Sequence, residues 1–307
     1  MAAWRAVARV LRSPLNPVLD AVSCAVFPSL CRLCSQPLLH LSTVPVCVDC
    51  WHDLPEQIPD NLCALCGEQL GWGGSRFAAH SSRADDAASL GEGRLCPLCE
   101  RAQPPFHRAV AYGVYEGTLR GLIHLLKYER IPTVAVPLGA LLAAPIAALP
   151  QLPPSLTVVA VPLHSSKQHE RGFNQTLLLA EATLKALRKL RPDLQLELAR
   201  EAMGRQRATP SQSGLTPHQR RHNLRGAFFI RQPQQIAGRA ILLLDDIYTT
   251  GATARECSRT LLRAGAASVH VATLARSQRE GVAFWDSAAT ATERVGDAVN
   301  IHQASTV

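Results

Sequence analysis

The sequence predicts an α/β protein, in which helices flank a parallel β-sheet and a module held together by cysteines precedes them. Three observations favour this fold class. From Ala109 onward, short apolar runs alternate with apolar stripes at helical spacing, which is typical of strands joined by helices. Between Cys24 and about Arg101, cysteines recur in pairs and regular periodicity is weak. A chain of 307 residues that is 47% hydrophobic is long enough for one main domain and a smaller module.

These changes of pattern divide the chain into four segments. In 1–23, Trp4, Val7 and Leu11 lie on one stripe with arginines between them, so we expect an amphipathic leader helix and not a secretory signal. The cysteine module covers 24–108, and the α/β domain covers 109–276. The last segment, 277–307, lacks periodicity and is expected to be a disordered tail.

The α/β domain is predicted element by element from its apolar residues. The patterns predict a helix around 119–126, a strand at 156–161, a helix around 177–184, a strand at 194–198, a strand at 240–244, a helix over 253–264 ended by Gly265, and a strand at 268–274. The longest apolar stretch, Val134 to Leu149, contains two prolines and is shorter than the roughly 18 residues of a membrane span. We therefore expect no membrane span and a cytoplasmic protein.

A pair of aspartates and a threonine-rich loop follow one predicted strand. The strand Ile241–Leu244 leads into Asp245 and Asp246, and the loop IYTTGAT then leads into a helix. Ligands bind at the carboxyl ends of parallel strands, and a glycine turn at a helix N-terminus suits a monophosphate. Carboxylates repel phosphate, so the aspartates are better suited to sugar hydroxyls or Mg²⁺.

An alternative needs no ligand at this loop. Thr253 and Glu256 have the spacing of a capping box, which would satisfy the start of the helix by itself. That alternative leaves unexplained why two aspartates end a buried strand, where ionised carboxylates are costly.

Several ordered motifs resemble one known family. The run from Leu243 to Thr253 resembles the phosphoribosyl-pyrophosphate motif of type I phosphoribosyltransferases. Together with it, four further runs resemble the ComF family, also called competence protein F or GntX-like: Val161–Gln175 (VPLHSSKQHERGFNQ), Arg205–Leu215 (RQRATPSQSGL), Arg221–Phe228 (RHNLRGAF) and Thr273–Arg276 (TLAR). The resemblance covers about Cys31 to Arg276 and implies a type I phosphoribosyltransferase-like sheet behind a zinc-ribbon module.

The resemblance also implies roles for particular residues. Asp245 and Asp246 would contact the ribose hydroxyls of phosphoribosyl pyrophosphate, which binds with Mg²⁺. The 5′-phosphate would be held by Thr249, Thr250, Gly251, Ala252 and Thr253, and the pyrophosphate side would include Lys167, Arg171 and Gly172.

The resemblance places Arg205 and Arg207 in a mobile loop that closes over the ligand. There, two guanidinium groups would neutralise negative charge on the leaving pyrophosphate, so we group them with Asp245 and Asp246 as candidate catalytic residues. A solvated basic surface is the alternative for these arginines.

One departure from the family pattern concerns the chemistry of transfer. Purine-salvage relatives have an aspartate, thought to be the base, where this chain has Thr249, and a hydroxyl is not a base at neutral pH. Purine salvage is therefore disfavoured, and the acceptor stays open.

Eight of the ten cysteines form four Cys-x-x-Cys pairs. Two such pairs complete a tetrahedral zinc site, so sequential pairing predicts two sites and a double zinc ribbon. The first site comprises Cys31, Cys34, Cys47 and Cys50, and the second comprises Cys63, Cys66, Cys96 and Cys99. The interval within the second site is longer than ordinary zinc-ribbon spacing and includes a Gly-, Ser- and Ala-rich insertion over 71–93, so the spacing alone leaves the occupancy of this site open. Disulfides and a redox dithiol are the alternatives, but the chain has neither a secretory signal nor a thioredoxin-like setting.

The arginine-rich run from Arg200 to Arg231 has seven arginines and one acidic residue, Glu201. With a formal net charge of +8, this bias favours partners that carry phosphates. Because ComF relatives are associated with DNA uptake, single-stranded DNA and DNA-uptake proteins are the expected partners. Aromatic residues near the run are sparse, Phe173, Phe228 and Phe229 being the nearest, so stacking on bases has little support from the sequence.

Three functions are consistent with these observations. The first is a phosphoribosyl-pyrophosphate-binding accessory factor in DNA uptake and natural transformation. The second is an active phosphoribosyltransferase with an unidentified nitrogenous acceptor, and the third is a non-catalytic zinc-ribbon adaptor. The sequence does not specify the oligomeric state.

Overall fold

The computed structural model describes residues 28–40, 42–55, 61–70, 93–206 and 224–278, together with residues 24 and 26. The expected leader helix, most of the expected tail and most of the insertion over 71–93 lie outside the described residues. Arg207 and Arg221 also lie outside them.

A parallel sheet forms the centre of the molecule, as the sequence predicts, and it has five strands, of which the one at Arg108–Val114 was not predicted. In spatial order its strands are β1 (Arg108–Val114), β7 (Ser268–Arg276), β6 (Ala240–Tyr248), β2 (Ser155–Ala160) and β3 (Gln195–Leu198). A separate antiparallel pair consists of β4 (Met203–Arg205) and β5 (Phe228–Ile230).

Seven helices of four or more residues are described around these strands. They are α1 (Val48–His52), α2 (Pro97–Arg101), α3 (Gly117–Lys127), α4 (Ala135–Ala147), α5 (Ser165–Arg171), α6 (Gln175–Leu190) and α7 (Ala252–Arg263), with short 3-10 turns at Pro132–Val134 and Pro233–Gln235.

The sheet has an apolar core on each face because successive side chains of a strand point to opposite sides. Along β6, Leu242 and Leu244 join the cluster that contains α3, α4 and α6. Ile241 and Leu243 join the second cluster, which contains Leu261 of α7. All four β6 side chains are fully buried, as expected for a parallel sheet covered on both faces.

The apolar stretch from Val134 to Leu149 forms α4, one of the helices that cover the sheet. Gly139 allows α4 to approach α6 closely, because a Cβ at this position would collide with Ala182 and the backbone of Thr183. Within the described residues, no helix has both the length and the hydrophobicity needed to cross a membrane.

The structure corrects the predicted end of β6. The strand does not stop at Leu244 but continues through both aspartates to Tyr248, where β7 still pairs with it. α7 begins at Ala252, and Gly265, with φ at +89°, follows its end as the sequence predicts.

Candidate functional site

The loop after β6 turns at Gly251, whose φ of +73° lies in the left-handed region that favours glycine. A Cβ at this position would also collide with the ring of Tyr248. The loop, the start of α7 and Asp245 line a small cleft; its lining includes Asp245, Tyr248, Thr249, Gly251, Ala252 and Thr253. Thr250 lies in the same turn, where its hydroxyl accepts a hydrogen bond from the N–H of Ala252. The five loop residues thus lie together at the carboxyl end of β6.

The capping-box alternative is wrong for this helix. Gly251 is the N-cap of α7, and this residue makes no side-chain capping hydrogen bond. Glu256 instead accepts a hydrogen bond from the N–H of Gly226 at 2.8 Å and pairs with Arg259. Glu256 therefore does not stabilise the turn that starts α7.

Asp245 lines the cleft, and its side chain is partly exposed. Burial raises the pKa of its carboxyl to about 7, and the charge of Asp246 adds to the shift. The N–H of Asp246 donates to Asp245 Oδ1 at 2.9 Å, and the charges of Lys127 and Arg205 partly offset the rise. A carboxyl with a pKa near 7 changes its charge close to neutral pH.

Asp246 makes contacts that the sequence patterns did not reveal. Lys127 Nζ, at the end of α3, lies 2.8 Å from Asp246 Oδ1, and both side chains are nearly buried. Gln175 Nε2, at the start of α6, donates to Asp246 Oδ2 at 3.2 Å. A lysine in the last turn of a helix ordinarily complements the helix dipole, so its sequence position gave no reason to connect it with Asp246.

The residues predicted for the pyrophosphate side lie on α5 and at its end. Lys167 and Arg171 lie on α5, and Gly172 ends that helix with φ at +79°. Burial lowers the pKa of Lys167, and the nearby charges of Arg171, Arg205 and Lys127 lower it further. The charges of Lys127 and Arg205 thus act on both Lys167 and Asp245.

Arg205 ends β4, at the start of the segment that the resemblance identifies as a closing loop. Its guanidinium lies 5.4 Å from the centre of the Phe228 ring. Arg207 lies outside the described residues.

The eight paired cysteines come together in two groups of four, in sequential order. Within each group, the four Sγ atoms all lie within 4.8 Å of one another. The first group comprises Cys31, Cys34, Cys47 and Cys50, and the second comprises Cys63, Cys66, Cys96 and Cys99.

The geometry of both groups could hold zinc and does not fit disulfides. The Cys34–Cys47 and Cys66–Cys96 Sγ distances are 3.5 Å and 3.7 Å. An S–S bond is about 2.05 Å long, whereas four sulfurs about 2.3 Å from one zinc ion lie about 3.8 Å apart. In each group, one backbone N–H donates to a cysteine Sγ, Cys47 to Cys31 and Cys96 to Cys63, both at 3.3 Å.

The second cysteine group is attached to the sheet by Arg276, the last residue of β7. Its guanidinium donates to the carbonyl of Cys66, lies 3.6 Å from Cys66 Sγ and forms an ion pair with Glu68. It also lies 4.2 Å from the centre of the Tyr248 ring, the ring that packs under Gly251. Both side chains of the ion pair are buried. The sequence placed Arg276 in a family motif but gave it no role.

The remaining cysteine of the described α/β domain, Cys257, is fully buried in α7. Burial raises its pKa well above the usual value. It is therefore a core residue of the helix that follows the phosphate loop.

Comparison with known proteins identifies the family. A model named phosphoribosyl transferase domain matches residues 175–305. The chain is 33% identical to the DNA utilization protein YhgH of Escherichia coli (strain K12), over 81% of this chain and 98% of the relative. It is 27% identical to competence protein F of Haemophilus influenzae, over 78% of this chain and 93% of the relative. A solved hypoxanthine phosphoribosyltransferase from Staphylococcus aureus is 19% identical, with a TM-score of 0.25 over 50% of this chain and 68% of that one.

Proposed function

This chain belongs to the ComF family of competence and DNA utilization proteins, and we propose that its phosphoribosyltransferase-like domain binds phosphoribosyl pyrophosphate with Mg²⁺. The observation that carries the proposal is the position of Asp245 and Asp246, which lie near the carboxyl end of β6, a short distance before the Gly251 loop. The backbone N–H groups of the loop would bind the 5′-phosphate, and the carboxylates would accept hydrogen bonds from the ribose hydroxyls.

The surroundings of the aspartates support a ligand with both hydroxyls and phosphates. The buried Gln175 Oε1, beside Asp246, has no hydrogen-bond partner among the described residues, so it can accept a hydrogen bond from a ligand or from a metal-bound water. Lys167 and Arg171 supply positive charge for a pyrophosphate. Mg²⁺, bound by carboxylate and phosphate oxygens, would neutralise the rest of the pyrophosphate charge.

We propose that this ligand-binding domain serves as an accessory factor in DNA uptake and natural transformation, with single-stranded DNA and DNA-uptake proteins as partners. The names of the relatives and the net charge of +8 support this role. Consumption of labelled phosphoribosyl pyrophosphate with a panel of nitrogenous acceptors would identify an active transferase. Ligand binding without consumption under these conditions favours the accessory role.

Asp245→Asn is expected to abolish the thermal stabilisation that Mg²⁺ with phosphoribosyl pyrophosphate gives the unchanged protein. A ligand at about 100 times its Kd adds about 2.7 kcal/mol, or roughly 5–10 °C in Tm, and the variant loses the carboxylate that binds it. Differential scanning fluorimetry with and without ligand measures the shift.

Asp245 is a better target than Asp246 because Asp246→Asn would leave Lys127 without its buried partner and would confound binding with stability. The matched control is Asp193→Asn, which changes an exposed carboxylate paired with Arg191 and should keep the full shift. A full shift in Asp245→Asn rejects the assignment.

The affinity for Mg²⁺ with phosphoribosyl pyrophosphate should rise with pH up to about 7. The folded pKa of Asp245 is raised from 3.8 to about 7, so below this value the carboxyl must lose a proton before it can bind. Well below pH 7 the affinity should fall up to tenfold per pH unit. In the ligand-free protein, the raised pKa of Asp245 contributes to the free energy of unfolding below about pH 4, and this contribution is lost as pH rises through about 7.

Isothermal titration between about pH 5.5 and 8.5 tests this dependence. The control Thr250→Ala should weaken binding at every pH but keep the slope of affinity against pH, since the threonine hydroxyl does not titrate in this range. Titration of the ligand itself is common to both proteins. An affinity of the unchanged protein that does not rise between about pH 5.5 and 7 contradicts the assignment of Asp245.

A further inference from the structure

One exposed face of the described structure combines aromatic rings with a run of cations. On α3, Arg120, His124 and Lys127 lie near one side of the helix because they are separated by three or four residues, and Tyr128 follows directly. Burial and the charge of Arg120 lower the pKa of His124, so its ring belongs with the aromatic rings and not with the cations. Tyr128 is 63% exposed, which is unusual for a large side chain next to a buried ion pair.

The rings on this face are already in contact with cations. The Arg171 guanidinium of α5 lies 5.4 Å from the centre of the Tyr128 ring, and the His124 ring centre lies 5.0 Å from that of Tyr128. At the other end of α3, the Arg120 guanidinium lies 6.0 Å from the centre of the Tyr115 ring. These contacts leave much of the Tyr128 side chain open to solvent.

The cations extend from α3 to the candidate ligand site. The Arg130 guanidinium donates to the carbonyl of Glu170, which ties the end of α3 to α5. Lys167 is near enough to Arg171 and Arg205 for their charges to lower its pKa. We call the residues Arg120, His124, Tyr128, Arg130, Lys167 and Arg171 the α3–α5 face.

The acidic neighbours of the face do not neutralise it. Glu129 pairs with Arg32 at 3.9 Å, although its charge also acts on His124. Glu170 lies on the α5 side, where Lys167 and Arg171 are also present. The face therefore has an excess of positive charge around exposed aromatic surface.

We propose that the α3–α5 face binds single-stranded nucleic acid, with a base stacked on Tyr128 and phosphates contacted by Arg120 and Arg130. This inference rests on the proposed DNA-related function and locates the DNA site mainly away from the arginine-rich run over 200–231. Single strands combine the two chemical features that the face matches, since their bases expose flat π surfaces and their phosphates repeat along the backbone. From Arg120 to Tyr128 the helix rises about 12 Å, which is room for about three stacked nucleotides.

The test measures affinity and salt dependence separately, because stacking and phosphate contacts affect them differently. The full-length protein is titrated into a fluorescent oligothymidylate about 20 nucleotides long, and anisotropy is recorded over a series of salt concentrations. Tyr128→Ala should weaken binding about tenfold and leave the salt slope unchanged, whereas Tyr128→Phe should bind within about twofold of the unchanged protein. Arg120→Ala with Arg130→Ala should lower the salt slope by about 1.4, or about 0.7 for each lost phosphate contact.

The control is Lys189→Ala, which removes an exposed cation near the opposite end of α6 from the candidate site. It should keep both affinity and slope.

Three outcomes would each overturn the proposal. The first is an unchanged affinity in Tyr128→Ala, and the second is a loss of salt slope per charge in Lys189→Ala equal to that in the arginine variants. The third is competition by heparin that equals competition by unlabelled oligothymidylate. Absence of binding by the unchanged protein would overturn the proposal together with the proposed DNA partner. The ligand-induced shift of Tm would still test the phosphoribosyl-pyrophosphate site independently.

Discussion

Cys63→Ser with Cys66→Ser should lower the zinc content of the purified reduced protein by about one ion per chain and markedly lower its Tm. Structural zinc sites contribute on the order of 10 kcal/mol to folding where the site forms only in the folded state. All four cysteines of the second group are buried, and the backbone around them pairs with the sheet, since the N–H of Ala109 donates to the carbonyl of Leu65. Elemental analysis and thermal unfolding measure the two effects.

The matched comparison is Cys31→Ser with Cys34→Ser in the first group, where Cys34 is exposed. This variant should also lose about one zinc ion. In the unchanged protein, a chromogenic chelator should remove the first ion quickly and the second slowly, because release from the buried group requires the module to open. Each double variant should show only one phase of zinc release, that of its remaining cysteine group. Absence of zinc in the unchanged protein, or release in a single phase, contradicts two distinct zinc sites.

Arg276→Met should destabilise the protein by about 3–5 kcal/mol, because it removes the arginine that forms a buried ion pair with the Glu68 carboxylate. The expected fall in Tm is roughly 10 °C, at about 2–4 °C per kcal/mol for a domain of this size. The second zinc ion should be released faster, because the substitution also removes a hydrogen bond to the carbonyl of Cys66. Chemical unfolding and chelator kinetics measure these effects.

A surface ion pair in the same chain provides the control. Arg239 lies 3.9 Å from Glu197, and both side chains are at least half exposed, so Arg239→Met should cost about 1 kcal/mol or less. Arg276→Met with Glu68→Leu should recover part of the lost stability, since no buried charge is then left alone. If Arg276→Met costs no more than Arg239→Met, Arg276 does not attach the cysteine module to the sheet.

The sequence by itself determined the fold class, because the apolar periodicity of strands and helices is a local property. The runs at 240–244 and 268–274 predicted two strands, and these form the adjacent pair β6 and β7. The spacing of the cysteine pairs likewise predicted the two groups of four that the structure contains. The order of motifs along the chain was enough to indicate the family.

Local patterns were less reliable at the ends of elements. Asp245 and Asp246 suggested the end of a strand, but pairing with β7 extends β6 to Tyr248. Thr253 and Glu256 had the spacing of a capping box, but Glu256 is engaged by Gly226, which lies 30 residues earlier in the chain. In both cases, a partner distant in sequence outweighed a local preference.

Only the tertiary structure decided which side chains surround the candidate site and support it. Lys127 forms an ion pair with Asp246, which is 119 residues away in the sequence, and Arg276 forms one with Glu68, which is 208 residues away. Tyr128 is an ordinary residue at a helix end in the sequence, and its exposure beside Arg171 is visible only once α3 and α5 are packed together. The physical reason is that hydrophobic periodicity acts over a few residues, whereas ion pairs and ring contacts depend on how packing brings distant segments within a few ångströms.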